Sequence, residues 1–174
     1  GTVLLFPPGA SQPESTTPGT QQPIAITELY EDVREGSVIE AVDNPTQATV
    51  RLTGKGAQDE ALGSVQIYSG TRLKVERMRS PMFELSEEPY QVRLLLEQGQ
   101  ARVFTNSGQQ RPLQVEIRTP HGSLILDAGS YQIVVTPEQT DIVASAGQAT
   151  LRKADASELV VTQGLRDDQL ARIR

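Results

Sequence analysis

The sequence predicts an all-β domain: a rolled sandwich or jelly roll, or a solenoid-like repeat of short strands with glycine corners. Three observations carry that prediction. A glycine-centred phrase recurs at Gly70, Gly99, Gly129, Gly147 and Gly164. Apolar residues alternate at period two around it, the mark of a half-buried strand. No stretch of a dozen residues holds the apolar spacing of an amphipathic helix.

Five and three positions before each glycine stand two apolar residues: Val65 and Ile67, Leu94 and Leu96, Leu124 and Leu126, Ile142 and Ala144, Leu159 and Val161. The alternation resumes two and four positions after it, with Ala101 and Val103, Tyr131 and Ile133, Ala149 and Leu151; after Gly70 it resumes one position late, at Leu73 and Val75. The step from −3 to +2 is odd, so the apolar parity flips. A straight strand cannot keep one face inward through such a flip, so the chain turns or bulges there. Glycine accepts the positive φ that a bulged hairpin or a solenoid corner demands. The spacings between copies, 29, 30, 18 and 17 residues, are uneven. A strict solenoid keeps one period, so rolled coils are expected rather than a long β-helix.

The elements follow in order. Val3 to Phe6 form an apolar stub, broken by Pro7 and Pro8. Residues 9–23 are rich in Pro, Gly, Ser and Thr, almost uncharged, and read as a flexible or polyproline-like linker. Residues 1–23 are therefore expected to be a membrane-proximal or disordered linker. Four apolar residues fall far short of the roughly 20 that cross a bilayer. An apolar stub ahead of a low-charge linker nevertheless matches the outer end of a membrane anchor, and an upstream anchor is expected.

From Ile24 to Val42, Thr27-Glu28-Leu29-Tyr30-Glu31 has the cap and acidic first turn of a helix. Val33-x-x-Gly36-x-Val38 is a degenerate early copy of the repeat, and strand is the reading preferred. Asp43-Asn44-Pro45 is a turn. Strands are expected over Ala48–Leu52, Ser64–Tyr68, Arg72–Arg77, Met82–Leu85, Gln91–Glu97, Ala101–Thr105 and Leu113–Ile117. Further strands follow at Ser123–Leu126, Tyr131–Val135, Asp141–Ala144, Ala149–Arg152 and Glu158–Val161, with Thr119-Pro120-His121-Gly122 and Pro137-Glu138 as turns. The tail, with Leu165, Leu170 and Ile173 at loosely helical spacing, reads as a terminal helix or a disordered end.

The 174 residues suit one domain with a small appendage. Apolar residues make up 37%, enough for a core, but it is an aromatic-poor one with no Trp, three Phe and four Tyr. A net charge of −6 argues against wrapping a phosphate backbone. Thirteen of the sixteen cations are Arg. The absence of Cys removes disulfides, thiolate metal sites and cysteine nucleophiles.

Ser69-Gly70-Thr71-Arg72-Leu73-x-Val75, followed by Val92-x-Leu94-x-Leu96-Glu97-x-Gly99-x-Ala101-x-Val103, resembles the first half of a FecR-type domain. Val115-x-Ile117-x-Thr119-Pro120-x-Gly122-x-Leu124-x-Leu126-x-x-Gly129-Ser130-Tyr131-x-Ile133 is similar to that family's most recognisable stretch, and Ile142 to Gly164 to its closing strands. The resemblance divides the chain into a linker at 1–23, a FecR-like β domain at 24–166, strongest over 46–166, and a tail at 167–174. It implies an extracytoplasmic domain anchored to the cytoplasmic membrane by an upstream segment, relaying a signal by protein–protein contact. No cytoplasmic helical regulator is visible in the chain, so iron-transport signalling is not implied.

No residue is singled out as catalytic, cofactor-binding or metal-binding. His121, the sole histidine, has neither the co-ligands of a metal site nor a partner to orient it as a base, and reads as a solvent-facing turn residue. Asp127-Ala128-Gly129 looks like an aspartic-protease loop, but that chemistry needs two aspartates sharing a proton, and Gly129 already belongs to the corner series. Glu84, Glu87, Glu88, Asp167 and Asp168 lack calcium-loop spacing. Gly54-Lys55-Gly56 is too short to cradle a phosphate. The expectation is a non-enzymatic domain with no cofactor and a protein partner, engaged by strand addition at an open sheet edge. The alternative is a structural cell-envelope module that binds wall polymer or self-assembles.

Overall fold

The computed structural model describes residues 1–8, 24–25, 32–54, 61–82, 87–106, 111–153, 157–162 and 171–173. Every regular element among them is a strand. In chain order these are β1 (Val3–Phe6), β2 (Ile24–Ala25), β3 (Val38–Ala41), β4 (Gln47–Thr53), β5 (Ala61–Tyr68), β6 (Thr71–Arg79) and β7 (Tyr90–Thr105). They continue with β8 (Leu113–Thr119), β9 (Gly122–Leu126), β10 (Gly129–Val135), β11 (Thr140–Ala146), β12 (Gln148–Lys153), β13 (Glu158–Thr162) and β14 (Ala171–Ile173).

One strand organises all the others. The 16-residue β7 pairs through its first part with β6 and β8 and through its second part with β5 and β10. Hydrogen bonding therefore runs through a single sheet bent into two halves. The first half has the order β13-β12-β9-β8-β7-β6-β3-β1-β2. The second runs β4-β5-β7-β10-β11-β14. Inward residues of both halves, among them Val65, Ile67, Leu94, Leu96, Val103, Leu124, Ile133 and Leu151, join one apolar core. At about 1.5–3 kcal/mol for each large side chain removed from water, that core is the main stabilising term.

The bend lies at Gly99, whose φ is +94°. A Cβ there would stand 2.5 Å from the Thr71 Cα, so both backbone conformation and space demand glycine. The bend also explains an unusual connection. β7 and β8 pair in parallel, Tyr90 beside Leu113 through Leu95 beside Arg118, and a parallel pair ordinarily needs a crossover of about a dozen residues or more. Here residues 106–112 suffice, because β7 doubles back on itself and brings its own end over its beginning.

The other corners obey the same logic. Ser69-Gly70 carries the chain from β5 in the second half to β6 in the first; Asp127-Ala128 leads from β9 to β10, and Gly147 from β11 to β12. None of these is a hairpin; each is a crossing between facing half-sheets. The parity flip follows, since a residue pointing inward from one half and a residue pointing inward from the other face opposite ways along the chain. At Gly70 the parity is kept instead, because Thr71 takes an inward position and is fully buried. Gly164 lies outside the described residues.

Three sequence readings are corrected. Val3–Phe6 is not a stub ahead of the domain but a strand of the sheet, paired antiparallel with β3 and β2, with Leu5 and Phe6 buried. Leu5, with Val3 packed beside it, joins the core, while Phe6 lies on the outer face beneath the Arg72 guanidinium. Ala171–Ile173 is neither helical nor disordered: it pairs with Thr140–Ile142 of β11. Residues 91–97 and 101–105 are one continuous strand rather than two. The helix-or-strand question at 27–31 and the strand expected at 83–85 lie outside the described residues, and Met82 sits in a bend.

Candidate interaction surfaces

The corners are held by side-chain hydroxyls. The Thr71 hydroxyl donates to the Gln100 carbonyl and accepts from the Gln100 N–H, both at 2.9 Å. Thr105 does the equivalent one crossing further on, donating to the Asp127 carbonyl at 2.9 Å and accepting from the Gly129 N–H at 2.8 Å. Ser69 accepts from the Thr46 N–H at 2.8 Å. A crossing strand leaves its old ladder before joining the new one, and buried peptide groups in between need partners. The hydroxyls supply them. Sequence reasoning missed these residues; the signal available was a Ser or Thr within two positions of a corner glycine, as at Ser69 and Thr71.

Tyr131, fully buried, serves the same end at the core's edge. Its hydroxyl lies 2.7 Å from the Gln148 carbonyl and 3.1 Å from that of Asp127. A Cβ on Gly147 would collide with this hydroxyl and with the Ala128 carbonyl, and φ there is +84°. Burial, and secondarily the Asp127 carboxylate, push the Tyr131 phenol up to about 12. Asp127 thus contributes its backbone carbonyl to a corner.

His121 departs from expectation. It is half-buried, with Nδ1 3.0 Å from the Thr140 hydroxyl and Nε2 3.2 Å from the Pro137 carbonyl. It joins the β8–β9 turn to the β10–β11 turn rather than facing solvent. The reason is the bend of the sheet, which brings two turns distant in sequence together. Among the described residues no cluster of three or more His, Asp or Glu is placed to hold a metal ion. Glu87 and Glu88 are exposed, while Lys55, Glu84, Asp167 and Asp168 lie outside the described residues.

With the interior given over to packing, the surfaces carry what chemistry there is. The outer face of the first half-sheet is a ladder of ion pairs. Arg93 meets Glu116 at 2.7 Å, Arg118 meets Glu76 at 3.2 Å, and Arg152 meets Glu158 at 2.7 Å. Arg72 meets Glu97 at 2.7 Å and Glu40 at 3.4 Å, and its guanidinium lies 5.8 Å from the centre of the Phe6 ring. The second half-sheet shows a different outer face, with Gln66, Arg102 and Gln132 in register across β5, β7 and β10.

Edges form the third kind of surface. Among the described residues β13 pairs with β12 alone. Leu159 and Val160 on it are 45% and 52% exposed, in a strand whose single charge, Glu158, is taken up by Arg152. Among the described residues β4 pairs with β5 alone, and it carries Arg51. A strand with exposed apolar side chains and one unoccupied ladder is a template for another strand.

No family model matches the chain, and no curated protein does. Two crystal structures of a candidate anti-sigma factor from Parabacteroides distasonis are similar to it. The first is 13% identical with a TM-score of 0.49, the match covering 76% of this chain and 57% of that one. The second is 14% identical with a TM-score of 0.42, covering 73% and 59%. The chain therefore spans less than three-fifths of the length of either. Alignments this shallow say nothing of what either molecule binds.

Proposed function

We propose that this chain is an extracytoplasmic domain of a membrane-anchored bacterial protein, relaying a signal through contact with a protein partner at an open sheet edge. The observation that carries the contact is β13, a terminal strand with Leu159 and Val160 in solvent. Strand addition there would pair peptide groups that have no ladder partner among the described residues, and would shield Leu159 on one face and Val160 on the other. The FecR-type resemblance supports the location and the signalling role. Among the described residues, Gly70, Gly129 and Gly147 fall at or beside the crossings, Gly99 at the bend and the Thr119-Pro120-x-Gly122 turn at the β8–β9 hairpin, so these resembling residues are architectural, and the edge is left to define the partner.

The experiment has two arms. Alkaline phosphatase joined behind Arg174 in the full-length gene is active only when exported, and high activity is expected. A photo-reactive residue at Thr162, on the β13 edge, is expected to give one discrete protein adduct in cells, lost when Val160→Lys charges the strand. An inactive fusion, or an adduct indifferent to Val160→Lys, overturns the proposal.

A further inference from the structure

Hydrogen bonding fixes which peptide groups of β13 point to its free side. The Lys153 N–H donates to the Ser157 carbonyl at 3.0 Å, and the Asp127 N–H donates to the Gln148 carbonyl at 3.0 Å. Antiparallel ladders alternate between opposed residues that exchange hydrogen bonds and opposed residues that do not. The first bond therefore directs the peptide groups of Leu159 and Val161 toward β12, opposite Leu151 and Ala149. The second agrees, because it turns Thr150 toward β9 and away from Val160. Glu158, Val160 and Thr162 keep their N–H and C=O groups aimed outward, with no ladder partner among the described residues. The edge is also unguarded. β4, the other edge strand whose side chains are described, carries Arg51, breaks register between Leu52 and Thr53, and exposes no large apolar side chain. Charge and bulge of that kind keep an edge from pairing. β13 holds an unbroken register, exposes Leu159 and Val160, and has its one charge, Glu158, at its end and paired with Arg152.

We propose that β13 pairs antiparallel with β13 of a second copy of this chain, about a two-fold axis at Val160. Resting on the reading of β13 as the contact edge, this pairing names the partner as the chain itself. In this register Val160 stands opposite Val160 of the second copy, and Glu158 opposite Thr162, so every outward N–H and C=O of the strand meets its complement. The next register on either side pairs only two of the three outward residues. On the outer face valine meets valine, a β-branched pair that stabilises a cross-strand contact. On the inner face Leu159 meets Val161, so both exposed apolar side chains face apolar ones. No like charges stand opposite, and each Glu158 is neutralised by Arg152 of its own copy. A two-fold contact requires a surface complementary to itself, and this strand is one. A foreign strand could occupy the same peptide groups, but nothing about such a partner requires the edge to match itself.

Val160→Cys is the direct probe, because the chain has no cysteine of its own. A hydrogen-bonded antiparallel pair holds its Cα atoms about 5.5 Å apart, within disulfide reach, so oxidation of the purified variant is expected to give a covalent dimer. Thr150→Cys, one strand further in on the same face, would have to span three strand spacings, about 14 Å, and is expected to stay monomeric. Val160→Lys and Val160→Glu are each expected to weaken self-association in sedimentation equilibrium by more than about tenfold, since like charges then stand opposite. An equimolar mixture of the two is expected to recover it, and melting temperatures are expected to hold because Val160 is 52% exposed. In cells, the photo-adduct from Thr162 is expected at twice the mass of the protein. A parent chain that stays monomeric, a Thr150→Cys dimer that forms as readily, or a mixture without recovery overturns the pairing. A discrete adduct of any other mass, lost in Val160→Lys, overturns the second copy and upholds β13 as the edge that meets a partner. An inactive phosphatase fusion beside an intact dimer overturns the location and upholds the pairing.

Discussion

Thr71 and Gln100 are joined twice: one hydroxyl accepts from the N–H and donates to the C=O of the same residue, at 2.9 Å in each direction. They lie on either side of the bend, Thr71 at the start of β6 and Gln100 just past Gly99 in β7. The hydroxyl fills the gap in the ladder where β7 passes from one half-sheet to the other. Replacing it by an isosteric methyl leaves two backbone groups without partners. Thr71→Val is therefore expected to lower unfolding free energy by about 2–3 kcal/mol, more than a single lost hydrogen bond, because the orphaned groups stay buried. Thr71→Ser is expected to recover most of it. Urea denaturation followed by circular dichroism measures both.

Gly70 and Gly99 offer a controlled comparison. Both have positive φ, +74° and +94°. A Cβ on Gly70 meets nothing within 4 Å, whereas one on Gly99 runs into the Thr71 backbone. Gly70→Ala is expected to cost only the left-handed conformation, about 1–2 kcal/mol. Gly99→Ala adds a collision that forces the half-sheets apart, and is expected to prevent folding or lower the melting temperature far more. Similar melting temperatures for the two variants would contradict this account of the bend.

Alkaline pH tests the Tyr131 corner. The phenol is pushed up to about 12 in the fold, from an ordinary 10.0. Between those values the unfolded chain has released its proton and the folded chain has kept it. Stability from this group is therefore complete below pH 10 and lost as pH rises toward 12. Tyr131→Phe, which cannot ionise, is expected to be less stable than the parent at neutral pH, having lost the bond to Gln148. It is also expected to decline less steeply above pH 10. Melting curves across that range, with tyrosinate absorbance as a second readout, check the sign.

Arg72 binds three strands to a fourth. From β6 it reaches Glu40 on β3, Glu97 on β7 and the Phe6 ring on β1. Its side chain is 18% exposed, so this network is better shielded than an ordinary surface pair. Arg72→Met keeps the apolar stem and removes the charge. It is expected to raise amide exchange in β1 about tenfold, near 1.4 kcal/mol of local stability, with a smaller effect on β10. Hydrogen exchange resolved by peptide distinguishes this from a uniform loss.

Much of this fold is legible in the sequence because two half-sheets facing one core impose a parity rule on the chain. Leu94, Leu96, Ala101 and Val103 obey it around Gly99, and Leu124, Leu126, Tyr131 and Ile133 around Gly129; all eight are buried. Short strands escape such reasoning. Val3–Phe6 and Ala171–Ile173 have too few residues to establish a period, and only pairing with distant strands makes them regular. His121 escapes it too, because its partners Thr140 and Pro137 are near only once the sheet has bent. The Gln66–Arg102–Gln132 row is invisible in one dimension for the same reason: its members come from three strands spread along the chain.

β1 has a mechanical consequence. The Pro-, Gly-, Ser- and Thr-rich residues 9–23 join β1 to β2, which are neighbours in the sheet with Leu5 beside Ile24. Load applied ahead of Val3 enters the sheet directly through the ladder from Val3–Ala41 to Phe6–Val38 and through the Arg72 clasp on Phe6. Tension applied there would meet the sheet without slack, and the first part expected to yield is a strand four residues long.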